Sequence, residues 1–433
     1  MTLNHPSHLL SVRLAINLLL VSGTLVCAAS SVAGTSINPI SIQSDADFTA
    51  VGAGSGCACV TGTDASGTAI ISSWQINANG VPGVSIVSTN HSITRAFQLD
   101  HITVHTAGNA DGIFLQNIAS PASITFANID TPPSSLPTFG NRGINIVSSA
   151  GVSVFGGSVK SVGDWGLRIS QSSGVSVNGI QVSHSGVANP NSKSSATLPY
   201  NTSNPWLGGL IGAAPGGFLI IDSQHVTIFN VNADAAGYAG IELVRSTNCL
   251  IDSSATQYPD YYGIVLQSSD SNTISNSTFG ASDYNGLVLR NSSYNKILNN
   301  RIGATGAIGN EFVAQVVGYF TSSMYIGWGS HDNQVHGNAG KTSAPALVID
   351  DGFGPTLALP PSAGGMLQTK NPLNDQSTGG NPGSYAGFSG LGVFPAPYAS
   401  AAGTQTQAEV CGNSFSGAAG YNTLGIDPNQ VCL

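Results

Sequence analysis

The 433-residue chain carries only 12 Lys+Arg and 21 Asp+Glu, 8% charged against roughly 25% in ordinary soluble domains, and 54 glycines. With so few of the long charged side chains that clothe helix exteriors, a mainly helical fold is excluded, and the 41% hydrophobic content excludes wholesale disorder. A formal net charge of −9 leaves no basic footprint for nucleic acid or an anionic membrane surface.

Residues 1–33 have the layout of an export signal. Arg13 closes the n-region, Leu14 to Val26 is apolar, and Ser31, Val32 and Ala33 offer a small-residue cleavage site. The apolar stretch is shorter than the ~20 residues that span a bilayer. Cleavage is therefore expected, leaving no transmembrane segment and a secreted or periplasmic chain. Loss of Cys27 leaves Cys57, Cys59, Cys249, Cys411 and Cys432, an odd number in a compartment that permits disulfides. Cys411 and Cys432 are expected to bridge across the terminal segment. Cys57 and Cys59, with one intervening residue, suit neither a zinc nor a redox spacing and are read as structural. Cys249 occupies an apolar slot of the repeat described below.

His101 and His105 alternate with Ile102 and Val104 on one expected strand, so their imidazoles stand ~13 Å apart, too far to share a metal. A metal site here would need ligands from adjacent coils, such as His91, and none is expected; the residues leave the cofactor unknown. From residue 112 the chain becomes periodic. Gly143-Ile-Asn-Ile, Gly166-Leu-Arg-Ile, Gly217-Phe-Leu-Ile, Gly240-Ile-Glu-Leu, Gly263-Ile-Val-Leu and Gly286-Leu-Val-Leu recur, four of the intervals being 23 residues. Eleven positions after each glycine comes Val154, Val177, Ile228, Ile251, Ile274 or Ile297, and sixteen positions after it, in four units, Val159, Val182, Phe279 or Ile302. Alternation inside each unit has period two, so a unit holds about three short strands. One such coil cannot bury its own apolar face; stacked coils can, with ladders such as Asn272 on Asn295, which makes the chain an all-β solenoid of ~23-residue coils.

Two intervals depart from the period. Gly112 precedes Gly143 by 31 residues, with the excess around 131–137, and Gly166 to Gly217 spans 51, five more than two coils, with an Asn/Pro/Ser/Gly-rich stretch at 188–215. Loops on rigid coils are where solenoids carry function. The organisation expected is a signal at 1–33, the solenoid at 34–340, and a Gly/Pro-rich wrap with a terminal coil fragment at 341–433.

The phrases at 262–276 (Tyr-Gly-Ile-Val-Leu-Gln-Ser-Ser-Asp-Ser-Asn-Thr-Ile-Ser-Asn) and 285–300 carry a resemblance to the right-handed parallel β-helix superfamily of pectate lyases, polygalacturonases, alginate epimerases and NosD-like periplasmic proteins. The phrasing looks closest to the last of these, and the resemblance covers roughly 85–340. It implies a right-handed parallel β-helix that acts on or binds an extracellular polysaccharide as a lyase, epimerase or hydrolase. The alternative it implies is a non-catalytic surface protein of adhesin-like or NosD-like type. Asn109-Ala-Asp111-Gly112 resembles the Asn-x-Asp-Gly segment of polygalacturonases, which implies an acid role for Asp111. That family's Asp-Asp, His-Gly and Arg-x-Lys segments are missing at the expected places, and pectin hydrolysis is not expected.

Equivalent positions stack ~4.8 Å apart per coil. Asp111 and Asp164 fall two coils apart, about 10 Å along the axis, with Arg142 between them and Arg168 two residues past Gly166. These four are the catalytic candidates. Their spacing is near the upper end for the two carboxyls of an inverting glycosidase; alternatively, Arg142 neutralises a substrate carboxylate while a neighbouring proton is taken. Substrate-binding candidates are Trp165, the expected tyrosine row of Tyr238, Tyr261 and Tyr284, and Glu242 with Arg245, which with Arg168 form a charged patch. The row either binds sugar rings or caps the core. The charges either line a sugar groove or make an inter-coil ion pair. The oligomeric state is not written in these residues.

Overall fold

The computed structural model describes residues 35–349 apart from 51–57, 90, 133–140, 187–215, 260–261, 281, 283–284, 303–321, 328–329 and 342–346, together with 409–411, 414–416 and 423–424. The export signal, Tyr261, Tyr284, Cys57, Cys432 and most of the two inserted loops lie outside the described residues. Among those described, no helix is long and apolar enough to cross a membrane.

The strands form three twelve-stranded sheets, and each coil gives one strand to each sheet in turn. Sheet one takes the strand after the repeat glycine, such as Ile144–Val147, Leu167–Ser170, Phe218–Ile221, Ala239–Val244, Tyr262–Gln267 and Asn285–Arg290. Sheet two takes the strand centred eleven positions on, and sheet three the one centred sixteen positions on, so that Val154 stacks on Val177 and Val159 on Val182. Among the described residues every pairing between coils is parallel, and the one antiparallel pair is the hairpin of Gly62–Thr63 with Ala69–Ser72. The expected parallel β-helix is thus formed.

Apolar residues that recur at fixed offsets point inward and are almost completely buried: Ile144, Leu167, Phe218, Ile241, Ile264 and Leu287 are each 0% exposed. Each such burial contributes on the order of 1.5–3 kcal/mol, and the sum makes one continuous core. The glycine of each unit marks a corner where the backbone runs against the side chain sixteen positions later. A Cβ at Gly143 would stand 2.3 Å from Val159 Cγ1 and 2.4 Å from the Gly166 carbonyl oxygen. That contact explains why glycine and the apolar residue at +16 recur together.

Asn272 and Asn295 do form a ladder. The Asn272 backbone N–H donates to Asn295 Oδ1 at 2.9 Å, Asn295 Nδ2 donates to the Ser269 carbonyl at 3.0 Å, and Asn333 continues the row. Cys249 is a free, buried thiol, pushed up to about 11 by burial. His105 stands on a strand of sheet three and pairs with Asp130, whereas His101 occupies a left-handed turn before it, off that strand. Among the described residues no cluster of three metal-ligating side chains occurs.

The longer intervals differ from expectation. Leu167 pairs directly with Phe218, so the 51 residues from Gly166 to Gly217 make a single coil with a large excursion and not two coils. Asn285–Arg290 likewise pairs directly with Ser322–Gly327, a third long coil with no marking glycine repeat in the sequence. The additional residues of both coils lie outside the described residues, and a residue count by itself does not tell one long coil from two short ones. Beyond residue 340 the strands Leu347–Ile349, Glu409–Cys411, Ser414–Ser416 and Thr423–Leu424 add to the same three sheets.

Candidate functional site

Asp111, Arg142 and Asp164 meet at the corner that leads into sheet one. Arg142 Nη1 lies 3.4 Å from Asp111 Oδ1, and Arg142 Nε lies 3.0 Å from Asp164 Oδ2. The second contact is an ion pair by distance, but the Nε–H is not aligned on the oxygen and makes no hydrogen bond. One guanidinium therefore clamps two carboxyls from the coils on either side. Asp111 is the more firmly held: its Oδ1 also accepts from the Arg142 backbone N–H at 3.3 Å, and its Oδ2 accepts from Asn145 Nδ2 at 2.8 Å. The Asp164 side chain is held by Arg142 alone among the described residues.

Asn145 links this trio to Arg168. Register places Asn145 opposite Arg168 on sheet one, and Arg168 Nη1 donates to Asn145 Oδ1 at 3.3 Å while its Nη2 donates to Ser170 Oγ at 3.4 Å. Both partners are neutral, so Arg168, unlike Arg142, makes no ion pair among the described residues.

The electrostatics follow from burial. Asp111 and Asp164 are 7% and 5% exposed, and desolvation raises both above the ordinary carboxylate range despite Arg142. Asp164 is raised further by the charge of Asp111. Desolvation, then the like charge of Arg142, lowers Arg168. The arrangement holds two carboxyls that accept protons more readily than usual, beside a guanidinium with charge to spare.

The substrate-binding candidates fare differently. Trp165 is 1% exposed, its ring packed against Gly216, where a Cβ would stand 2.5 Å from Trp165 Cζ3; it fills space and offers no free face. Tyr238 is 2% exposed and packs edge-on against Tyr262, with centroids 5.3 Å apart; Tyr261 and Tyr284 lie outside the described residues. Glu242 does not join Arg245. It is 0% exposed, whereas Arg245 is exposed and binds Asp222 of the preceding coil through Nε–Oδ1 at 2.6 Å and Nη2–Oδ2 at 2.9 Å. The charged patch is therefore two separate features, and Arg245 makes the inter-coil ion pair.

Glu242 belongs instead to a buried cluster with Tyr238, Tyr262 and Arg290. Its register neighbours are Leu219 and Val265, neither carboxyl oxygen has a hydrogen-bond partner among the described residues, and burial pushes it up to about 8. Arg290 lies 5.2 Å from the Tyr262 ring centroid and is 1% exposed. The sequence reading missed Asn145 and Arg290. Both sit at outward repeat positions, and Arg290 stands in register with Gln267, where most coils have an apolar or small residue; a polar departure from the column was the available signal.

No curated protein matches the sequence. Among solved structures, a double mutant of the periplasmic alginate epimerase AlgG is similar at 12% identity, covering 65% of this chain and 66% of that one, with a TM-score of 0.44. The A-module of the Azotobacter vinelandii mannuronan C-5 epimerase AlgE4 is 12% identical over 72% of this chain and 92% of that one, TM-score 0.32. The Streptococcus pneumoniae surface protein and adhesin PfbA is 11% identical over 72% and 94%, TM-score 0.36. Residues 216–357 match the family model described as "Right handed beta helix region", and the chain is a right-handed parallel β-helix.

Proposed function

We propose that the protein is an exported, glycan-directed β-helix that acts on an acidic polysaccharide at the Asp111–Arg142–Asp164–Arg168 corner. The observation that carries this reading is Arg168: a partly buried guanidinium that, among the described residues, is hydrogen-bonded only to the neutral Asn145 and Ser170, next to two carboxyls held above their ordinary range. A uronate carboxylate satisfies such a cation, and neutralising that carboxylate makes the adjacent carbon-bound proton easier to remove. Asp164, the less encumbered carboxyl, exchanges that proton; Asp111, with Asn145 and the Arg142 backbone holding it, positions Arg142. The substrate class and the lyase or epimerase type of reaction are what this assignment adds.

A non-catalytic glycan-binding role is the second reading, favoured by the Arg142 clamp on both carboxyls. The two separate in one experiment. The protein is incubated with alginate, polygalacturonate and a neutral mannan, and retention, unsaturated ends and exchange of the proton next to the carboxylate are followed. Turnover of a polyuronate that is lost in Asp164→Asn, with binding lost in Arg168→Ala, supports the enzyme. Retention without any chemistry supports the binder. Preference for the neutral mannan, or an Arg168→Ala variant that binds as the parent does, rejects the site.

A further inference from the structure

On the corner between sheets two and three, away from the site above, aromatic side chains stand in the solvent in a narrow file. Phe126, Phe155 and Phe229 are 42%, 46% and 40% exposed. Phe126 packs edge-on against Phe155 at 5.5 Å, and His101 lies 5.1 Å from Phe126 on the other side. Register continues the file from Phe155 through Asn178 to Phe229. Five successive coils thus present His101, Phe126, Phe155, Asn178 and Phe229, a run of about 19 Å at one coil per strand spacing.

Phe126 is the informative member. It occupies the left-handed turn that each coil makes between these two sheets, at φ 51°. Gly156, Gly179, Asn230, Asn276 and Asn299 make the same turn with residues suited to it, whereas His101 and Ser253, like Phe126, take it without that advantage. A phenylalanine there has two costs at once, a left-handed backbone that bulky residues avoid and a large apolar ring left in water. Neither cost is needed for the fold, because Gly156 on the next coil, and Asn230, Asn276 and Asn299 further along, make the same turn without them.

We propose that this file is a binding strip for an extended glycan, whose pyranose rings lay their C–H faces on Phe126, Phe155 and Phe229 while the Asn178 amide meets a hydroxyl. Pyranose C–H hydrogens are matched to the negative faces of phenyl rings. A strip one residue wide is the shape of a linear chain; a stable protein partner needs an apolar core within roughly 800 Å² per side, and here Asn128, Ser153 and Ser158 flank the rings. The choice of a glycan as occupant rests on the reading above; the strip and the Arg168 site are otherwise independent.

The test exploits the turn. Phe126→Asn places at this position the residue that three other coils use, and Phe155→Asn copies Asn178, so the double variant keeps or raises the thermal midpoint. Affinity electrophoresis in alginate, polygalacturonate and mannan gels should show at least tenfold weaker retention for the double variant in the polymer that retards the parent most. Arg168→Ala is run beside it: loss in the phenylalanine variant alone leaves the strip standing and removes the Arg168 site, while loss in Arg168→Ala alone does the reverse. The proposal is overturned if the double variant is retained as the parent is, if no polymer retards the parent, or if the variant melts several degrees lower, which assigns the rings to stability. A change of sedimentation with unchanged glycan retention also overturns it, by assigning the strip to self-association.

Discussion

Glu242 gives the most searching test of the physical reasoning. A carboxyl that is fully buried between Leu219 and Val265, with no hydrogen bond to either oxygen among the described residues, has lost its hydration and gained in return only the charge of Arg290. Burial therefore holds it protonated up to about pH 8, while in the unfolded chain it ionises near 4.5. Below about pH 4.5 both states carry the proton and the group has no effect on pH dependence. Between there and about 8 the unfolded chain binds fewer protons than the folded one, so stability falls as pH rises, and above 8 it levels off. The gap is about 3.5 pH units, and at ~1.36 kcal/mol per unit the loss is on the order of 5 kcal/mol. Glu242→Gln removes the titration and keeps the shape. Urea unfolding of both proteins at pH 4.5, 6.5 and 8.5 should give curves that separate as pH rises, the variant becoming the more stable by several kcal/mol at pH 8.5. Taking the difference cancels Asp111 and Asp164, whose raised values act in the same direction. Should the glutamine amide itself be left unsatisfied, Glu242→Leu shows the same flattening against a different baseline. Parallel pH profiles for parent and both variants would falsify the assignment of Glu242 as a buried neutral acid.

Arg142→Ala leaves Asp111 and Asp164 facing each other without their shared cation, and breaking a buried pair of this kind costs roughly 3–5 kcal/mol at pH 7. The loss, read from denaturant midpoints, should shrink at acid pH where both carboxyls are protonated; an equal loss at both pH values refutes the electrostatic cause. Asn295→Ala strands the Asn272 backbone N–H and the Ser269 carbonyl inside the stack, so a loss of roughly 2–4 kcal/mol is expected in the same unfolding assay. A change below ~0.5 kcal/mol means the ladder is dispensable.

The solenoid was determined by the sequence alone. The 23-residue interval, the inward positions at fixed offsets and the period-two alternation leave a chain of this composition no other way to bury its Val, Ile and Leu, and the glycine at each unit is required by the backbone's contact with the residue at +16, as at Gly143 and Val159. The same arithmetic brought Asp111, Arg142 and Asp164 to neighbouring coils, because stacking converts period into distance. It could not say that Arg142 would span both gaps, since a long side chain reaches across coils in a direction that spacing does not encode. Nor could it tell which outward positions are buried. Period assigns Arg168 and Glu242 to one column, yet one is partly exposed and bonded to neutral partners while the other is sealed beside Arg290, 48 positions away. Tertiary structure alone decided that, because desolvation depends on everything packed around a side chain, and packing from distant parts of the chain carries no local periodic signal.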